Sequence, residues 1–101
     1  MTNIREVLSY NMKERRRELN ISQADLAEKI GTSPNYISKI EAEKQFPSVQ
    51  MIENIASALF IDSIDLFSIS KYQEKELNIV KNQLCSEINT LINDYFNKIK
   101  A

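Results

Sequence analysis

Apolar residues recur at three- and four-residue steps along most of the chain, the period of helices that bury one face. Ile4, Val7, Leu8, Met12 and Leu19 form the first such stripe and predict a helix over 4–19. Arg16 falls on that stripe, whereas Arg15 and Arg17 are expected to point away from it. An arginine on the buried side needs a partner, because an uncompensated charge there is costly. Ser22 reads as the N-cap of a second helix ending near Ile30, with Asp25 in the capping-box position. Gly31 follows, the residue type best suited to the left-handed position past a helix end. Ser33 then caps a third helix over about 34–42, with Pro34 at its first position, where a missing N–H costs nothing. The connection between the second and third helices is short enough to force a sharp angle. Local chemistry alone therefore predicts a helix-turn-helix.

A fourth helix is expected over about 49–60, after Pro47 and the cap Ser48, with Val49, Ile52, Ile55, Ala56 and Leu59 as its stripe. Asp62 or Ser63 caps a short fifth helix over about 63–68, carrying Ile64, Leu66 and Phe67. From 71 to 99 the pattern is helical again, with Leu77, Val80, Leu84, Ile88, Leu91, Tyr95 and Ile99 at steps of three and four, widened by Ile92 and Phe96. At 1.5 Å per residue that helix is about 43 Å long. It is too long to lie wholly against a body of five short helices. Mean spacing of those seven residues is nearer 3.67 than 3.5, so they do not imply a regular left-handed coiled coil.

Composition narrows the class to all-α: one glycine and two prolines in 101 residues are too few for the turns of a β-protein. A core of this size is marginal and favours association. The chain has no histidine and no cysteine cluster, so neither a metal site nor a usual general base is expected, and no cofactor motif or enzymatic constellation is present. The single Cys85 excludes an intrachain disulfide and is expected to be a buried or semi-buried helical thiol. No apolar run approaches membrane-spanning length, so a cytoplasmic protein without membrane contact is expected. The net charge of −1 argues weakly against nucleic-acid binding. Arg15, Arg16 and Arg17 form a basic run that reads more readily as a solvated helix face than as a binding patch.

On the third helix, Ile37 and Ile40 face inward, while Asn35, Ser38, Lys39 and Ala42 share the opposite face. Spacing alone fits a solvated surface or a recognition helix. Asn pairs with adenine, Lys reaches guanine or phosphate, and Ser and Ala permit close approach in a major groove. Two stretches bear on the choice: SQADLAEKIGTSPNYISKIE at 22–41 and FPSVQMIENIASALFIDSIDLF at 46–67. Together they make residues 5–67 resemble the helix-turn-helix domain of the phage-repressor (Cro/repressor, Xre-type) transcriptional regulators.

The resemblance implies a five-helix repressor-like DNA-binding domain over 1–69; outside it, the C-terminal amphipathic helix over 70–101 is expected to join two copies. Gln23 matches the glutamine opening the family's second helix, which contacts the DNA backbone. Asn35 and Lys39 match base-reading positions, with Ser38 between them. Ser33 joins this DNA-facing set, Tyr36 lies within reach of a phosphate, and Lys44 matches a loop residue near the backbone. Arg16 and Glu41 match a partly buried ion pair. Pro34 stands where some relatives carry a base-reading glutamine. Glu43 stands where many carry glycine, so a different loop path is expected there. The resemblance implies a sequence-specific regulator, a repressor, binding palindromic double-stranded DNA as a homodimer. Leu77, Val80, Leu84, Ile88, Leu91, Tyr95 and Ile99 are the expected dimer contacts. The competing reading is an antitoxin or adaptor whose C-terminal helix holds a different protein partner, with DNA binding secondary.

Overall fold

The computed structural model describes residues 3–100. The ends of the two expected segments, residues 1, 2 and 101, lie outside the described residues. The chain folds as α1 (Ile4–Leu19), α2 (Gln23–Ile30), α3 (Pro34–Glu41), α4 (Val49–Ala58), a 3₁₀ helix (Ser63–Phe67) and α5 (Ser70–Lys100). No strand occurs among the described residues. The expected fifth helix is thus a 3₁₀ turn, with Asp65 N–H on the Asp62 carbonyl at 2.9 Å and Ser68 N–H on the Asp65 carbonyl at 3.2 Å. Its five residues are the length at which 3₁₀ geometry is tolerated.

Four helix starts rest on side-chain caps: Asn3, Ser22, Ser33 and Ser48 each accept from a first-turn backbone N–H. Ser22 and Asp25 form the full capping box, with both bonds at 2.9 Å. Donation from the Ser22 backbone N–H, with the Ser22 hydroxyl second, holds the Asp25 carboxyl below its ordinary pKa.

The helix ends share a different device. Past α2, the Gly31 N–H reaches Glu28 O and the Thr32 N–H reaches Ala27 O. The same paired pattern closes α1 at Asn20 and Ile21, α3 at Glu43 and Lys44, and α4 at Phe60 and Ile61. This is the Schellman motif, whose turning residue adopts the left-handed conformation. Here φ is +55° at Asn20, +73° at Gly31, +64° at Glu43 and +59° at Phe60. The motif explains why α3 ends at Glu41 and α4 at Ala58, each short of the expected end. The Glu43 departure is met by strain at Glu43 itself, which takes the conformation that glycine supplies.

The core lies where α1, α2, α3, α4 and the 3₁₀ helix meet. Leu8, Met12, Leu26, Ile37, Ile40, Ile55, Leu59 and Leu66 are its fully buried large side chains. Two stripe members fall outside it: Ile4 is 58% and Val49 74% exposed. Both occupy the first position of their helix, before the helix reaches the core. Asn11 ties α1 to the 3₁₀ turn, donating from Nδ2 to the Leu66 and Ser68 carbonyls at 2.8 Å each. Arg15 does not point away: its Nε donates to the Leu59 carbonyl at 2.8 Å, securing the end of α4.

Among the described residues, α5 packs on the rest of the molecule near its start. Tyr72 is buried there, edge-on to Tyr10 with ring centroids 5.9 Å apart, and its hydroxyl donates to Glu6. Beyond this contact the helix projects, giving extents of 68 × 25 × 23 Å. Cys85 lies on the projecting part and is exposed, because no second layer reaches that far to bury it. Among the described residues no helix is long and apolar enough to cross a membrane.

Candidate nucleic-acid interface

The α2–α3 turn sets the direction of α3. Gly31 reverses the chain, and the Ser33 hydroxyl accepts from the Tyr36 N–H at 3.2 Å to start the next helix. Ile37 and Ile40 then lock the inner face of α3 into the core. With those two anchored, helical geometry puts Asn35, Ser38, Lys39 and Ala42 outside, and all four are exposed. Pro34 and Ser33 are exposed at the leading end. The structure brings this set together with Lys44, exposed just past the turn at Glu43. Tyr36 is half-buried and packs against the core rather than standing free on the face.

The only acid on α3, Glu41, is turned inward. Its side chain is 1% exposed and makes a bidentate pair with Arg16. Arg16 Nε donates to Oε2 at 2.8 Å and Nη2 to Oε1 at 2.6 Å. Arg16 Nη1 donates to the Ile21 carbonyl at 3.1 Å. Hydrogen bonding to Glu41 raises the Arg16 pKa, against the opposing effect of desolvation. Gln23 Nε2 joins the cluster at 3.3 Å from Glu41 Oε1, and the Ser9 hydroxyl donates to the Glu41 backbone carbonyl. One carboxylate therefore fastens α1, α2 and α3 together, and α3 presents no negative charge outward.

Each arginine of the basic run at 15–17 pairs with a carboxylate of its own chain, although Arg17 stays 74% exposed. Arg15 pairs with Glu18 at 3.0 Å, Arg16 with Glu41, and Arg17 with Glu14 at 2.7 Å. Arg17 keeps the solvated position expected of the run, whereas Arg15 and Arg16 are held against the body. Lys39 and Lys44 are exposed cations on and just past α3, Glu43 stands between them in sequence, and the exposed Arg5 donates from Nη1 to the Glu43 carbonyl at 3.4 Å.

Sequence reasoning missed Ser9, Asn11 and the Gln23–Glu41 bond. Ser9 and Asn11 flank the first stripe as buried polar residues, a signal available in the pattern. The Gln23 contact carried no such signal. The seven apolar positions of α5 lie away from α3, in line along the projecting helix and between 50 and 68% exposed. Among the described residues, no group of three His, Cys, Asp or Glu is placed to hold a metal.

This geometry has counterparts among known proteins. Residues 12–66 match the family profile described as Helix-turn-helix. The HTH-type transcriptional regulator SinR of Bacillus licheniformis is 32% identical over 89 residues, spanning 87% of this chain and 76% of that protein. A hypothetical transcription factor NHTF from Neisseria superposes with a TM-score of 0.67 at 30% identity, over 72% of this chain and 84% of its own. The restriction-modification controller protein C.Esp1396I, solved as a tetramer with its natural 35 base-pair operator, superposes with a TM-score of 0.59 at 27% identity, over 66% of this chain and 88% of its own. With its capped turn, outward α3 and a profile match across more than half its length, this chain belongs to the Xre-type helix-turn-helix family of transcriptional regulators.

Proposed function

We propose that this protein is a cytoplasmic repressor that binds a palindromic double-stranded operator as a homodimer, with α3 in the major groove. Residues 1–69 act as the DNA-binding domain, and 70–101 join the two copies. The observation that carries the reading is the outward face of α3, where Asn35, Ser38, Lys39 and Ala42 stand exposed and the one acid of the helix is buried. Such a face meets phosphates without repulsion and offers Asn35 and Lys39 to base edges. Lys44 and Ser33 flank it as phosphate contacts, and Tyr36 supports the helix more than it reaches outward. The Gln23 amide carries two N–H donors, and the one on Glu41 leaves the other for a phosphate at the start of α2. A controller protein of similar fold described with its operator supports the same mode.

The test is selection of bound duplexes from a random pool, then titration of single variants. Lys39→Ala or Asn35→Ala is expected to cost about 1–3 kcal/mol on the selected duplex and to relax preference at particular base pairs. Gln23→Ala is expected to weaken binding evenly across sequences. Equal losses for Lys39→Ala on selected and random duplex would overturn base reading by α3.

A further inference from the structure

The apolar stripe of α5 faces away from the molecule's own body. Tyr72 is buried against α1, and Glu74, Asn78, Ile79 and Asn82 line the gap beside Tyr10, Glu14 and Arg17. At 100° per residue, Tyr72, Asn78, Ile79 and Asn82 lie on the side of α5 opposite Leu77, Leu84, Ile88 and Tyr95, and Glu74 stands at the edge between the two sides. The stripe is thus unobstructed from Leu77 onward, and folding back onto the same chain is not how it is covered.

A strict seam lies inside the broad stripe. Glu74, Leu77, Lys81, Leu84, Ile88, Leu91, Tyr95 and Lys98 follow one another at alternating steps of three and four without a break. That is the seven-residue repeat that pairs two helices. Its charged members decide the direction of pairing. In a parallel, in-register pair every seam residue meets its own counterpart, so Glu74 faces Glu74, Lys81 faces Lys81 and Lys98 faces Lys98. Three layers would hold like charges. Antiparallel pairing about a two-fold axis beside Ser86 removes all three conflicts. Leu84 then shares a layer with Ile88 of the second copy, Leu77 with its Tyr95, and Glu74 with its Lys98. Lys81 meets Leu91 and extends its ammonium past it into water.

We infer that α5 pairs with α5 of a second copy in antiparallel orientation, centred on Ser86, with Glu74–Lys98 ion pairs closing both ends. The inference rests on the proposed role of α5 in joining two copies. The unlike ends then place the two DNA-reading units at opposite ends of the helix pair.

Spin-label distances in the full-length protein test it. In a Cys85→Ser background, labels at Ser86→Cys and Asn97→Cys both sit off the seam. Antiparallel pairing brings the two copies of position 86 level and separates the two copies of position 97 by about 33 Å along the axis. Equal distances at 86 and 97 would overturn the orientation while keeping the pairing. A monomer in sedimentation, with no intermolecular distance at either site, would overturn the pairing itself. Charge exchange gives a second readout. Lys98→Glu is expected to weaken the dimer several-fold, and Lys98→Glu with Glu74→Lys to restore it. Failure of the double variant to recover would count against the antiparallel layers.

Discussion

Glu41 shows how one side chain serves two ends. Its carboxylate is desolvated, yet it accepts from Arg16 twice and from Gln23 once, so both of its oxygens are bonded. Removing one partner of such a pair leaves a buried charge uncompensated, which costs about 3–5 kcal/mol. Arg16→Ala should therefore lower the unfolding free energy by about 3 kcal/mol in a denaturant titration. Lys39→Ala, on the outer face, should leave the midpoint within error. Similar midpoints for the two variants would contradict a structural role for Arg16. The need for this pair is readable from Arg16 lying on an apolar stripe. The identity of its partner is not, because the two residues are 25 positions apart and only the fold joins them.

At the scale of the element, starts and stops differ in how far sequence reveals them. The serines at 22, 33 and 48 are strong local signals, since a hydroxyl accepting from the first turn is a property of a few residues. Gly31 is an equally clear stop. Yet Asn20, Glu43 and Phe60 take the same left-handed turn without being glycine. Nothing local marks Glu43 or Phe60, because the surrounding helices impose the conformation on residues that disfavour it. A non-glycine residue held there costs on the order of 1 kcal/mol or more. Replacing it with glycine relieves that strain but loosens the unfolded chain. Glu43→Gly should therefore raise thermal stability by up to about 1 kcal/mol, read as an increased Tm. A decrease would mean that Glu43 is not strained. The short 3₁₀ helix was legible only as a helical turn, since its tighter winding follows from the loop it must close.

For the whole molecule, the radius of gyration is 19.6 Å, where a compact chain of this length has about 13 Å. The excess belongs to α5, whose separate existence the periodicity revealed and whose direction it left open. From Leu77 onward the helix carries five asparagines, at 78, 82, 89, 93 and 97, and no contact with the core. Asparagine is a poor helix former, and an isolated helix of this length is marginal in water. Its order must then come from whatever covers the stripe. Helicity of this protein becomes a function of its own concentration. On dilution through the dimer dissociation constant, mean residue ellipticity at 222 nm should lose up to about two-fifths of its helical signal, because α5 contributes 31 of the 73 α-helical residues. An ellipticity that stays constant while sedimentation reports dissociation would show that α5 stands unaided. Otherwise secondary structure and DNA occupancy rise together as the cell accumulates the protein. The molecule then acts as a meter of its own abundance, with α5 as the part that reads the level.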